Sequence, residues 1–80
     1  MKLKKDDVRY LVKRLQMDSR GRVHLRRRRF RESAFAVRIA EGCHAAGDKS
    51  VCVYSVVWDP TDGWQQNKDF YWTPPQEVHT

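Results

Sequence analysis

The chain has 80 residues, with 16 Lys and Arg against 10 Asp and Glu, a formal net charge of +6 and an isoelectric point near 9.8. That length allows one domain, in a class that buries only about 60% of its unfolded surface, and excludes self-contained enzymes of the large α/β or barrel types. With 40% apolar and 11% aromatic residues, the composition is still that of a folding chain.

The basic start from Met1 to Lys5 is followed by no apolar stretch of signal-peptide length. No apolar run approaches a membrane span either. The expected setting is the cytoplasm, away from membranes, where Cys43 and Cys52 are free thiols. A pairing of the two stays open, because they fall in adjacent predicted elements.

The net charge hides a division. Up to Arg31 there are 13 basic and three acidic residues, and from Glu32 onward three basic and seven acidic. Six of the nine aromatic residues lie between Tyr54 and Trp72. Such asymmetry marks an electrostatic footprint on one part of the molecule. One end looks built for anions and the other for apolar packing.

In chain order, Asp6 to Met17 reads as a helix. Val8, Leu11, Val12 and Leu15 recur at helical spacing. Asp6 and Asp7 suit the positive end of its dipole, and Lys13 and Arg14 the other. Asp18-Ser19-Arg20-Gly21 then breaks the pattern. Arg22 to Phe30 reads as a strand with Val23, Leu25, Arg27 and Arg29 on one face and His24, Arg26, Arg28 and Phe30 on the other. Arginines on both faces cannot all enter a core, so this strand must overhang the sheet or lie at its edge.

Ser33 to Ala46 admits two readings. As a helix it has Ser33 as N-cap, a stripe of Phe35, Ala36, Ile39, Ala40 and Cys43, and Gly47 as its stop. As a strand it would alternate Phe35, Val37 and Ile39 and turn at Gly42. Its five alanines favour the helix. Val51 to Trp58 reads as a central strand, and Asp59-Pro60-Thr61-Asp62-Gly63 as a turn. Trp64 to Thr73 then closes a hairpin, stopped by Pro74-Pro75. The expected fold is a small α+β domain over residues 1–73, with an N-terminal helix and an antiparallel sheet in the order α-β-α-β-β, or α followed by a β meander. Residues 74–80 are expected to form a flexible tail.

The chemistry concentrates in arginine. Arg20, Arg22, Arg26, Arg27, Arg28, Arg29 and Arg31 place seven guanidinium groups within twelve residues, more than solubility requires. Guanidinium forks suit phosphates or carboxylates, so the ligand is a polyanion or an acidic protein surface. The plain alternative is a solvated edge strand. Trp64 and Tyr71, within the Trp58, Trp64, Tyr71 and Trp72 group, are candidates for a stacking platform or a protein hot spot, against the plain reading that these rings fill a small core. On strand alternation, Tyr71 and Trp72 point to opposite sides, and Trp64, beside the turn, is expected nearest the surface. No metal-ligand spacing links Cys43, His44, Cys52 and His24. Cys43-His44 lacks an orienting partner for nucleophilic work, and Asp59 and Asp62 belong to the turn. No enzyme activity, cofactor or metal is expected.

In its size, its lack of catalytic motifs, and its pairing of a basic strand with an aromatic, mildly acidic hairpin, the chain resembles a class of small phage and mobile-element inhibitor proteins of the anti-CRISPR type. The resemblance implies a monomer that docks on a host nucleoprotein or nucleic-acid-handling complex and blocks its nucleic-acid path. It carries no site residue with it. The alternative is direct, sequence-non-specific binding of DNA or RNA through the Arg-rich strand. No base-reading module is recognisable.

Overall fold

The computed structural model describes residues 7–75. Its elements run β1 (Val8–Met17), β2 (Val23–Phe30), α1 (Ser33–Ala45), β3 (Lys49–Asp59) and β4 (Gly63–Gln66). The four strands form one antiparallel sheet in the order β2-β1-β3-β4. Of the described residues 49% are strand and 19% helix, and the sheet is a half-barrel.

The expected N-terminal helix is therefore wrong. Asp6 lies outside the described residues, and Val8–Met17 is an inner strand between β2 and β3. The spacing of Val8, Leu11, Val12 and Leu15 misled because an inner strand can carry apolar residues on both faces. Tyr10 and Val12 turn toward α1, while Leu11 and Leu15 turn away from it. Consecutive apolar residues on such a strand imitate a helical stripe. The order is β-β-α-β-β, with the single helix after two strands, so neither the α-β-α-β-β order nor a meander behind a leading helix holds.

The β1–β2 connection is a tight turn held by Asp18. Its Oδ1 accepts hydrogen bonds from the Arg20 and Arg22 amides at 2.8 and 2.9 Å, and Gly21 takes a φ of +80°. β2 is an edge strand, one of the two placements its arginines allowed, and only its final residue, Phe30, is buried.

The segment open to two readings is a helix. Its stripe shifts toward the small residues. Ala36 and Ala40 are fully buried and Ile39 and Cys43 partly so, while Phe35 stays exposed with one edge contact to Phe30 at 5.3 Å. Close approach of helix and sheet favours alanine there. The cap is Glu32 rather than Ser33, and it makes no side-chain capping bond. At the other end Gly47 donates to the His44 carbonyl and Asp48 to that of Cys43, both at 3.1 Å. That pair of bonds, with Gly47 at φ +100°, is a Schellman stop.

β3 opens with a bulge. The pairing shifts between Lys13 and Leu15, and Ser50 takes a φ of 52°. Beyond it Val51 and Val53 face the helix and, with Val12, Phe30, Ala36 and Ala40, form the core. The expected long second hairpin strand is broken: β4 ends at Gln66, and after a turn the chain rejoins β3 through a bridge between Val53 and Trp72. Asn67-Lys68-Asp69 turns instead, with the Asn67 side chain accepting from the Asp69 amide at 3.1 Å. Because residues 70–72 are not a regular strand, the alternation rule fails for them. Tyr71 stacks on Tyr10 at 4.9 Å and Trp72 packs against the core, so both lean on the helix side.

Candidate functional site

The sheet has one face covered by α1 and one without a helix. On the uncovered face stand Leu25, Arg27 and Arg29 from β2, Leu11, Lys13 and Leu15 from β1, Cys52, Tyr54 and Val56 from β3, and Trp64 and Gln66 from β4. β2 and β4 are the two edges, and a flat sheet would hold them roughly 14 Å apart, three strand spacings. Yet the Arg29 guanidinium carbon lies 4.7 Å from the centroid of the Trp64 indole. The edges lean toward one another over the uncovered face, which becomes a trough.

This trough has a volume near 620 Å³, with Leu11 and Val56 on its floor, Lys13, Arg27 and Arg29 toward one wall, and Trp64 and Gln66 toward the other. Among the described residues no carboxylate lines it. Guanidinium and ammonium groups gathered without counter-charges make a site for an anion, and the indole adds a flat apolar surface. Trp58 meets Trp64 edge-on at 5.3 Å and holds the ring in place. Beyond Lys13 the trough continues into a second, apolar groove near 430 Å³, where Leu15, Leu25, Tyr54 and Phe70 are among the lining residues. Lys13 bridges the two, with its ammonium 5.1 Å from the Tyr54 ring centroid. Phe70 stands 4.9 Å from Tyr54 and is 57% exposed.

The structure divides the sequence-derived residues. Arg27, Arg29 and Trp64 meet in the trough. Arg26 points to the helix side and donates to the Gln16 side chain at 3.3 Å, while Arg28 also borders the trough but holds its guanidinium over Phe30 at 5.2 Å. Arg20 and Arg22 sit at the exposed hairpin turn, and Arg31 follows β2. Tyr71 belongs to the other face. Trp64, expected nearest the surface, is half-buried, while Phe70 and Tyr71 are the exposed rings of the C-terminal half. Lys13, Tyr54 and Gln66 were missed. A period-two reading of Val8–Met17 finds Lys13, since it puts that residue beside Leu11 and Leu15; Gln66 carries no such signal.

The remaining polar groups have structural partners. His24 Nε2 lies 2.9 Å from Asp18 Oδ2, and that contact, with the Arg22 amide, holds the Asp18 carboxyl below its usual range. Arg14 Nε lies 3.0 Å from Asp48 Oδ2, but its N–H is not aimed at that oxygen, so the contact is an ion pair rather than a hydrogen bond. Cys43 and Cys52 are both free thiols. Cys43 packs on the helix side and Cys52 turns to the trough side, so the sheet lies between them. Cys43 is half-buried, not buried as a stripe residue should be, while Cys52 is buried and its thiol is pushed up by desolvation. Among the described residues no three His, Cys, Asp or Glu side chains gather as metal ligands, and no helix is long and apolar enough to cross a membrane.

The fold and site together define a β-β-α-β-β half-barrel with a cationic, aromatic trough on its open face. No family model matches the chain, and neither a curated protein nor a solved structure does.

Proposed function

We propose that the chain is a non-enzymatic binding protein that takes single-stranded nucleic acid into the trough. The observation that carries this is the meeting of Lys13, Arg27 and Arg29 with Trp64 in one trough whose lining, among the described residues, includes no carboxylate. Phosphates satisfy the cations and release their counterions, and rings suit the indole. A cytoplasmic monomer fits the two free thiols and an edge strand whose like charges oppose self-pairing.

The test uses the division of the arginines between faces. Binding of a labelled oligothymidylate is measured by anisotropy across a salt series. Arg27→Gln is expected to weaken binding and to lower the log–log salt slope by about 0.7, the value for one single-strand phosphate contact. Arg26→Gln, on the opposite face, should leave the slope unchanged. Equal effects of the two substitutions would refute the trough as the site.

A second reading has its own observation. Met17, Val23 and Leu25 stand 63%, 56% and 56% exposed at the far end of the β1–β2 hairpin, beside Arg20 and Arg22. Apolar anchors within a basic rim suit docking on an acidic protein surface. In this reading the chain is an inhibitor that seats on a nucleic-acid-handling complex and blocks its path, as the resemblance to anti-CRISPR-type proteins implies. Capture of a discrete complex that survives nuclease treatment and is lost in Leu25→Asp would favour it over the first.

A further inference from the structure

Arg29 and Trp64 hold each other across the open side of the trough. The guanidinium lies over the indole at 4.7 Å, while Trp58 touches the same ring edge-on. Arg29 thus covers a face of the Trp64 indole that a ligand could use. A cation–π contact at an exposed site is a weak hold, and a bidentate guanidinium–phosphate pair is a stronger one. A phosphate drawn in by Arg27 and Lys13 therefore competes successfully for Arg29. Once Arg29 swings to the phosphate, the indole face stands bare beside the bound anion. Gln66 lines the same trough, and its amide offers both a donor and an acceptor to the edge of a ring placed there.

We propose that the Arg29–Trp64 contact is a clasp opened by the ligand: phosphate takes Arg29, and the indole face it leaves receives an unpaired base. The proposal rests on the nucleic-acid reading of the trough and adds to it a selectivity. Base-bearing single strands bind better than bare phosphate chains, because only they refill the uncovered face. They also bind better than a duplex, whose bases are already stacked on one another and cannot reach the ring.

The experiment compares four probes at one salt concentration: a short oligothymidylate, an abasic oligomer of the same length, a duplex of the same length, and polyglutamate. The oligothymidylate should bind roughly tenfold tighter than the abasic oligomer, within the range of one base–aromatic stack, and also tighter than the duplex. Trp64→Ala should bring the first two to parity, and Trp64→Phe, which keeps a ring, should retain part of the difference. The comparison within the unsubstituted protein stands even if Trp64→Ala fails to fold. Opening of the clasp has its own readout. Inorganic polyphosphate should increase acrylamide quenching of tryptophan fluorescence, and Trp64→Phe should abolish the increase. Equal binding of oligothymidylate and abasic oligomer, or no change in quenching, would overturn the clasp and leave the polyanion site intact. Failure of both oligomers to bind, or tighter binding of polyglutamate, would remove the nucleic-acid reading and the clasp with it.

Discussion

Asp18 organises the β1–β2 turn through both carboxylate oxygens, one on two backbone amides and one on His24. Its pKa is lowered in the folded chain, first by His24 and then by the Arg22 amide. A carboxyl held low contributes to stability above the ordinary carboxylate range, and that contribution is lost as pH falls through the lowered value. We therefore expect the Asp18 carboxyl, followed by NMR, to titrate below the usual value and to move back toward it in His24→Ala. A titration unmoved by that substitution would mean that the backbone amides alone hold the charge. The turn itself was legible from Asp18-Ser19-Arg20-Gly21, since Asp18, Ser19 and Gly21 favour departure from a regular element. That it joins two strands was not, because a turn signal does not say what precedes it.

Among the elements, β2 and α1 follow from local rules and β1 does not. The Arg run argued for an edge or an overhang for β2, since four consecutive arginines on an inner strand would bury unpartnered charge on both faces. Alanine content and the Gly47 stop made α1 the better reading of its segment. Gly47→Ala tests that stop. A Cβ there would meet no atom within 4 Å, so the cost comes from the φ of +100° alone. We expect a loss of about 1–2 kcal/mol in urea unfolding, with an unchanged m-value. For β1, the apolar spacing fits a helix and an inner strand equally well. The choice falls to partners: β2 and β3 both pair with β1 in antiparallel ladders, the second with a register shift between Lys13 and Leu15, and α1 covers one of its faces.

At the scale of the whole molecule, the core is small. Its largest fully buried side chains are valines, and among the described residues no polar residue is buried with them. Curvature does more than packing to make the site, because it carries β2 and β4 toward one another and so joins Arg29 to Trp64. The same sheet keeps Cys43 and Cys52 on opposite sides. A mild oxidant should therefore produce no intramolecular disulfide in the folded chain. A maleimide should label half-buried Cys43 before Cys52, whose burial and raised pKa both slow thiolate formation and access. Mass spectrometry of timed samples checks both, and faster labelling of Cys52 would show that the apolar groove opens to its thiol.

The charge division, the facing of the β2 arginines and the turn at Gly63 could be read from composition and near neighbours, and the same rules narrowed β2 to an edge or an overhang and favoured a helix over a strand for Ser33–Ala45. Only the tertiary structure decided that β1 is a strand, that the second hairpin stops at Gln66, and that Lys13, Arg27, Arg29 and Trp64 share one trough. Those outcomes depend on pairings between segments distant in the chain and on the curl of the sheet, and neither leaves a local periodicity to be read.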